Sequence, residues 1–327
     1  MRSPLFPLAD PAKTHLDTEL LKGFDRKIRK EKVVSCLIIQ DGYLAYEYHK
    51  NKKQAQKLQK INSCTKSFIS ALIGIALDQG LIAGLDTPIT FYFPYLEQKS
   101  VDPVKRSITL FHLLTMSPGF DWPEFGEWQS FPLMLYSPDW VRFVLDRPLL
   151  DRPGEKMNYN SGCSHLLSAI LQKATGMSTY DFAKKHLFQP LDIEDSYWYS
   201  DGQGVHNGGD GLRLTSRDMA KLGLLYLQGG QWQEKQIVSA AWVQESIQPK
   251  FWTYERIGSY GLHWWSDRID LSKDWTEDNF YYFALGFGGQ YILVVPSQKM
   301  IVVFSSELYD HSLRPLALFR QYILAAK

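Results

Sequence analysis

The sequence predicts an α/β (α+β) chain in which both termini form one antiparallel sheet and a mainly helical lobe is inserted between them. Two hairpins support this prediction. The first has Asp41-Gly42 between two apolar runs, which is a strong hairpin signal. The second joins residues 290–295 to residues 300–305 through a four-residue turn. Strands thus lie at both ends of the chain and helices in its middle, with further helices flanking the sheet.

We expect the 327 residues to form a single unit that is large enough for two lobes to share one site. The α/β lobe is predicted to comprise about 1–80 and 206–327, and the helical lobe about 81–205. Helices are predicted at about 18–30, 68–77, 109–116, 138–146, 161–174, 179–187, 216–228 and 313–325. Thr109 and Thr215 are predicted to cap two of these helices.

The composition of the chain argues against several classes of binding partner. The chain has 36 basic and 35 acidic residues, a balance that suggests neither a nucleic-acid nor an anionic-membrane partner. The N-terminus has no apolar run of signal-peptide length and no stretch is long enough to span a bilayer, so we expect a cytoplasmic protein. Three cysteines and eight histidines show no metal-ligand spacing, and neither a metal nor a cofactor is expected.

A Ser-x-x-Lys pair opens a strongly apolar helix. Ser63 and Lys66 are three residues apart, so they share a helix face and their hydroxyl and amine can meet. Asn62 is predicted as the N-cap and Gly80 as the C-terminal stop. Burial lowers the pKa of a lysine and allows it to accept the proton of a serine nucleophile. The alternative is a capped core helix with a surface lysine.

Two further segments carry candidate site residues. Tyr159 and Ser161 follow a Pro-Gly turn and stand just before a helix, where a phenol beside an ammonium can act as base and then as acid. The alternative for Tyr159 is a core aromatic whose hydroxyl is hydrogen-bonded. The segment 286–290 stands at the head of a C-terminal strand, where glycines let the backbone approach a substrate and an N–H can serve an oxyanion hole. The alternative there is a glycine bulge.

Residues 120–140 are aromatic, acidic and without a clear period, which predicts a long ordered loop. Such a loop is either a pocket wall or a satellite hydrophobic cluster. Trp122 in this loop, together with Trp264 or Trp265, is the candidate wall of an apolar pocket.

Taken together, these segments resemble the serine hydrolases of the class C β-lactamase and penicillin-binding-protein superfamily. Ser63-Cys64-Thr65-Lys66 matches the first family motif. Tyr159-Asn160-Ser161 matches the Tyr-x-Asn element at the tyrosine but has Ser in the third place. The segments 108–119 and 215–223 are also similar, and the resemblance covers about 33–306. It implies a β-lactamase/transpeptidase-like fold.

The third family motif differs. Penicillin-active members carry Lys-Thr-Gly or His-Thr-Gly on the strand beside the nucleophile, and this chain has neither triplet. Its place is taken by Gly286-Phe287-Gly288-Gly289-Gln290, which is more similar to the 6-aminohexanoate-dimer hydrolases and related esterases. The expected anchor for a penicillin carboxylate is therefore missing.

The resemblance implies a serine hydrolase that cleaves a small-molecule ester or amide through an acyl-enzyme on Ser63. It further implies that Lys66 and Tyr159 carry the proton, that Lys66 keeps the pKa of Tyr159 low and that Ser161 supports them. The N–H groups of Ser63 and of Phe287 or Gly288 are the implied oxyanion hole, with Gly286 beside them. Two alternatives stay open, namely a D-amino peptidase, carboxypeptidase or weak β-lactamase like the penicillin-binding proteins, and a ligand sensor that does not hydrolyse.

Overall fold

The fold is built on a central antiparallel sheet, seen here in a computed structural model that describes residues 6–8, 16–125 and 130–324. The strands are β1 (Val33–Gln40), β2 (Tyr43–His49), β3 (Gln59–Lys60), β4 (Tyr197–Trp198), β5 (Leu212–Leu214), β6 (Gln231–Trp232), β7 (Lys235–Gln236), β8 (Phe251–Trp252), β9 (Ser259–Tyr260), β10 (Trp265–Arg268), β11 (Phe280–Gly286), β12 (Gln290–Val295) and β13 (Met300–Ser306). Eight of them form the main sheet in the order β2-β1-β13-β12-β11-β10-β9-β8, and every neighbouring pair is antiparallel. Both termini thus contribute to one sheet, as predicted.

The helices lie between and around these strands. They are α1 (Thr18–Ile28), α2 (Thr65–Asp78), α3 (Leu110–Leu114), α4 (Phe131–Tyr136), α5 (Trp140–Leu145), α6 (Ser161–Thr175), α7 (Thr179–Ala183), α8 (Ser216–Leu227), α9 (Ala240–Ile247) and α10 (Arg314–Leu318). Helices α7 and α10 each continue as a π-helical turn, at Lys184–Phe188 and Phe319–Leu324. Within the described ranges, no helix combines the length and the apolar character that a bilayer crossing requires.

Both predicted hairpins are confirmed. Asp41 and Gly42 have φ values of 50° and 81°, the left-handed pair that a two-residue type I′ turn requires between β1 and β2. The turn between β12 and β13 ends at Lys299, which is also left-handed with a φ of 44°. The turn residues therefore set the register of the strands on either side.

The sheet is buried on both faces. Strand β1 shows this in its alternation, because Leu37 and Ile39 belong to one buried cluster while Cys36 and Ile38 belong to another. The first cluster includes residues of α2, α6 and α8, and the second includes residues of α1 and of the C-terminal helix. A strand that is apolar on both sides, as β1 is, must lie inside such a sandwich of layers.

Helix α2 begins directly after the turn that contains the candidate nucleophile and lies in this core. Twelve of its fourteen residues are buried. The hydroxyls of Ser67 and Ser70 donate to the backbone carbonyls of His263 and Leu262 at 2.8 and 2.7 Å, which ties the helix to the segment before β10. Gly74 lets Trp242 pack directly on the helix, since a Cβ there would lie 2.3 Å from the indole. The N-terminal end of α2 is therefore held in a fixed position beside the sheet.

The region predicted as one long loop contains a short helix, so that prediction is wrong in part. Helix α4 occupies Phe131–Tyr136, with a proline in its first turn and Met134 buried. One and a half turns are too short for a helical period to stand out from the surrounding aromatic residues. Helix α5 begins at Trp140, with Asp139 as its cap. Residues 126–129, which include Glu127 and Trp128, lie outside the described residues.

Candidate active site

Ser63 lies in a short 3₁₀ turn (Asn62–Cys64) immediately before α2 rather than inside the helix. The prediction that Asn62 caps this helix is wrong. Asn62 is left-handed, with a φ of 47°, and its side-chain amide donates to the backbone carbonyl of Phe287 at 2.6 Å. The side chain therefore crosses to the turn after β11 instead of accepting from the helix N–H groups. It ties the nucleophile turn to that segment.

Lys66 lies in the buried interior of the site. The side chain is 2% exposed, and its Nζ atom contacts three oxygens: Ser63 Oγ at 2.9 Å, Ser161 Oγ at 3.0 Å and the Gly209 carbonyl at 2.8 Å. The alternative of a surface lysine is thereby excluded. Burial lowers the pKa of Lys66 to about 8, although the nearby carboxylates of Glu124 and Asp210 act in the opposite direction.

Tyr159 is buried between two aromatic rings. Phe125 stacks on it with a centroid distance of 5.5 Å and Trp265 at 5.7 Å, while Lys66 Nζ lies 4.9 Å from the ring centroid. Burial raises the pKa of Tyr159 well above its ordinary value, and a hydrogen bond with the Ser63 side chain lowers it only in part. The prediction that Lys66 keeps this pKa low is therefore wrong, because desolvation of the phenolate outweighs the stabilising contacts.

Ser161 is the first residue of α6, where Asn160 caps the helix by accepting from the Cys163 N–H at 3.1 Å. This position directs the Ser161 hydroxyl into the site. Its oxygen accepts from Lys66, and its proton is donated to Glu124 Oε1 at 2.5 Å. Ser161 is thus in contact with Lys66, which is consistent with the supporting role that the resemblance implies.

The turn after β11 approaches the nucleophile closely at Gly286. A Cβ there would lie 2.4 Å from the Ile61 carbonyl and 3.1 Å from the Ser63 nitrogen, so only glycine fits without a shift. Of the two candidate oxyanion donors, the Gly288 N–H already donates to Ser312 Oγ at 2.9 Å. The Phe287 N–H donates to no described residue. Of the two candidates, the Phe287 N–H is therefore the one without an acceptor among the described residues.

All three tryptophans considered for a pocket wall are instead buried, and Trp265, with 4% of its surface exposed, stacks on Tyr159. Trp122 is 1% exposed and packs against Phe143. Trp264 is fully buried against Tyr226 and Tyr282. These expectations are wrong because none of these side chains presents appreciable surface to a ligand. Among the described residues, the exposed rings beside Tyr159 are those of Phe125 and Tyr254.

Glu124 is the principal site residue that the sequence did not reveal. Its carboxylate accepts from the Ser161 hydroxyl, from the Ser161 N–H at 3.1 Å and from the Trp122 indole N–H. It lies 37 residues from Ser161 in an irregular segment, so no spacing could connect the two. An acidic residue within the aromatic loop was the available signal.

The glycine-rich segment 201–211 also has a role in the site. A Cβ at Gly208 would lie 2.0 Å from the Ser164 carbonyl, and one at Gly209 would lie 3.1 Å from the Ser161 Cβ. These two glycines let the backbone lie against α6 and present the Gly209 carbonyl to Lys66. The concentration of glycines was visible in the sequence, but their partner was not.

The arrangement suits nucleophilic acyl transfer. It combines a serine hydroxyl, a buried amine able to take its proton and a phenol able to give one. Among the described residues, no group of three histidine, cysteine, aspartate or glutamate side chains is arranged to hold a metal ion.

Comparison with known proteins agrees with this geometry. A family model described as Beta-lactamase matches residues 24–321. The 6-aminohexanoate-dimer hydrolase of Paenarthrobacter ureafaciens is 20% identical over 339 residues, covering 96% of this chain and 82% of that protein. The lovastatin esterase of Penicillium rubens is 28% identical over 172 residues, covering 45% of this chain and 42% of the esterase.

Solved structures show the same fold. A proposed 6-aminohexanoate-dimer hydrolase from Bacillus anthracis superposes with a TM-score of 0.78 at 22% identity, covering 98% of this chain and 87% of that one. The predicted β-lactamase/transpeptidase-like fold is confirmed. Because the family model matches most of its length, the chain belongs to the β-lactamase family.

Proposed function

We propose that this protein is a serine hydrolase that cleaves an ester or amide bond of a small molecule through an acyl-enzyme on Ser63. The observation that carries the proposal is the contact of 2.9 Å between Ser63 Oγ and the Nζ atom of a buried lysine. Burial lowers the pKa of that lysine to about 8, so a neutral amine is available near neutral pH.

Acylation begins with neutral Lys66. Its lone pair takes the proton of Ser63 while the serine oxygen attacks the carbonyl carbon. The carbonyl oxygen becomes an oxyanion, which the N–H groups of Ser63 and Phe287 stabilise. Because burial raises the pKa of Tyr159, the phenol is protonated at this stage and does not act as the first base.

Tyr159 acts when the leaving group departs. Its phenol donates a proton to the leaving oxygen or nitrogen, and the resulting phenolate receives the proton held by the Lys66 ammonium. The acyl group is now esterified to Ser63, while lysine and tyrosine have returned to their starting states. Water then enters and attacks the acyl carbon while Lys66 takes its proton. The bond from the acyl carbon to Ser63 Oγ breaks, the Lys66 ammonium returns the proton to that oxygen, and the acid is released.

The surroundings of Ser63 favour an uncharged acyl group. The chain has no Lys-Thr-Gly or His-Thr-Gly triplet to hold a carboxylate, and Phe287 is exposed in that region with Tyr309 against it. Beside Tyr159, the rings of Phe125 and Tyr254 contact each other. Relatives described as a lovastatin esterase and as a 6-aminohexanoate-dimer hydrolase support small esters and amides as the substrate class.

Steady-state hydrolysis of p-nitrophenyl butyrate, an aryl amide and a penicillin by the wild type and by Ser63→Ala tests this proposal. We expect ester or amide turnover above background in the wild type alone, with little turnover of the penicillin. Faster turnover of the penicillin than of the ester would favour the peptidase or β-lactamase alternative. A wild type that hydrolyses none of them would contradict the proposal.

A further inference from the structure

Four residues form one chain of hydrogen bonds that ends at the nucleophile. Glu124 Oε1 accepts from the Ser161 hydroxyl at 2.5 Å, Ser161 Oγ lies 3.0 Å from Lys66 Nζ, and Lys66 Nζ lies 2.9 Å from Ser63 Oγ. Lys66 has one further contact, with the Gly209 carbonyl at 2.8 Å. The direction of each hydrogen bond in this chain follows from the donors and acceptors that the groups possess.

A serine hydroxyl has a single proton, and a carboxylate can only accept. The Ser161 proton is therefore committed to Glu124, and the Ser161 oxygen can only accept from Lys66. A backbone carbonyl likewise can only accept, so Gly209 also takes a proton from Lys66. A neutral lysine has two N–H bonds and one lone pair. Both N–H bonds are used by Ser161 and Gly209.

We propose that Glu124 is a positioning residue, which fixes the orientation of the Ser161 hydroxyl and thereby directs the lone pair of neutral Lys66 at the Ser63 proton. The inference rests on the proposed function, because it assigns Lys66 the part of a base. Without the carboxylate, the Ser161 hydroxyl is free to donate to Lys66. The lone pair of Lys66 then accepts from the Ser161 hydroxyl and is no longer available to the Ser63 proton.

Glu124 is itself held in one orientation. Its second oxygen accepts from the Ser161 N–H at 3.1 Å and from the Trp122 indole N–H. These two N–H donors determine the orientation of a side-chain amide at this position. In Glu124→Gln, the amide oxygen must face them, so the amide nitrogen faces Ser161 Oγ and donates to it. The substitution preserves the shape of the side chain and reverses the direction of the bond.

In Glu124→Gln, the loss of the negative charge and the reversal of the hydrogen bond to Ser161 have opposite effects on activity near neutral pH. Among the described residues, the titratable groups that face Lys66 are Glu124, Asp210, Cys64, Cys163 and His263, with the Tyr159 ring beside them. Of these, Glu124, Asp210, Cys64 and Cys163 raise the pKa of Lys66, and Glu124 has the largest effect. Its loss therefore moves the midpoint of the pH profile to lower pH. That shift alone increases activity near neutrality, whereas the reversed bond lowers activity at every pH.

The first test measures kcat/KM for p-nitrophenyl butyrate from pH 6 to 9.5 in four forms: wild type, Glu124→Gln, Ser161→Ala and the double variant. We expect Glu124→Gln to lower the high-pH plateau by about tenfold or more and to shift the midpoint down. In the Ser161→Ala background, Glu124→Gln should not lower the plateau further. Asp121→Asn is the matched control, since Asp121 lies in the same segment but pairs with Arg147 at 3.3 Å, and it should leave the profile unchanged.

A plateau in Glu124→Gln within twofold of the wild type overturns the inference, as does an equal loss in both Ser161 backgrounds. If the wild type forms no acyl-enzyme, the proposed function fails. The orientation of the Ser161 hydroxyl is then tested by a measurement that does not depend on activity. Neutron diffraction from the deuterated wild type above pH 9 should place the Ser161 deuterium on the line to Glu124. A deuterium on the line from Ser161 to Lys66 refutes the inference, even if the Glu124→Gln variant cannot be folded.

Discussion

Lys66 Nζ lies 2.9 Å from Ser63 Oγ, and the lysine is only 2% exposed. Many structural lysines make a similar contact, so the contact alone does not indicate a function. Its significance comes from the oxygens on the other side of the amine, because Ser161 and Gly209 hold Lys66 against the serine even when it is neutral. Packing thus places a weak acid, the Ser63 hydroxyl, in contact with a potential base, the Lys66 amine.

The rate of ester hydrolysis should rise with pH. Burial disfavours the ammonium and lowers the pKa of Lys66 to about 8, and only the deprotonated amine can accept the serine proton. The neutral fraction therefore increases about tenfold between pH 7 and 9. We expect kcat/KM for p-nitrophenyl butyrate, corrected for spontaneous hydrolysis, to increase by a similar factor. A flat or falling profile over this range would show that Lys66 is not the base.

Replacement of Lys66 by Met should remove most of the activity while preserving the apolar part of the side chain. Loss of a general base reduces the rate by about a hundredfold to ten-thousandfold. Lys57→Met is the control, since Lys57 is exposed and lies before the nucleophile turn. The comparison is made on kcat/KM for p-nitrophenyl butyrate, with thermal unfolding recorded for both variants. Equal activity in both variants would be inconsistent with the mechanism.

Tyr159→Phe should discriminate between leaving groups. The phenylalanine ring retains the stacking between Phe125 and Trp265 but has no proton to donate. A p-nitrophenolate leaves without protonation, whereas the alcohol of an ethyl ester requires a proton. We expect kcat/KM to fall about tenfold for p-nitrophenyl butyrate and about a thousandfold for ethyl butyrate. Equal losses for both esters would show that Tyr159 does not protonate the leaving group.

Gly286→Ala should impair catalysis through the backbone. The added methyl group would lie 2.4 Å from the Ile61 carbonyl, so the turn after β11 must move away from Ser63. Misplacement of an oxyanion donor lowers kcat by about a hundredfold. Gly202→Ala is the matched control, because nothing lies within 4 Å of a Cβ there, and it should leave both kcat and the melting temperature unchanged. Unaltered kcat in Gly286→Ala would exclude a role for the close approach.

The relation of Ser63 to Lys66 was predictable because it depends only on local geometry. Residues three apart at the start of a helix lie on the same side, whichever turn type begins it. The two hairpins were predictable for the same reason, since Asp41-Gly42 specifies its own turn. The predicted division of the chain into lobes at about residues 80 and 205 stays a prediction.

The parts that the sequence could not supply depend on distant contacts. Asparagine commonly caps helices, but the left-handed backbone of Asn62 directs its side chain to Phe287, 225 residues away. Glu124 meets Ser161 only after α6 and the aromatic segment have packed together. The pKa of Tyr159 is set by the rings that bury it, and their positions follow from the whole fold.

The most direct test of the account is the site of acylation. The wild type, mixed with p-nitrophenyl butyrate and quenched in acid, should carry one butyryl group by intact mass spectrometry. Peptide mapping should then locate it on Ser63. The Ser63→Ala variant should carry none. A butyryl group that persists in Ser63→Ala, or that maps to another residue in the wild type, would contradict the assignment of Ser63 as the nucleophile.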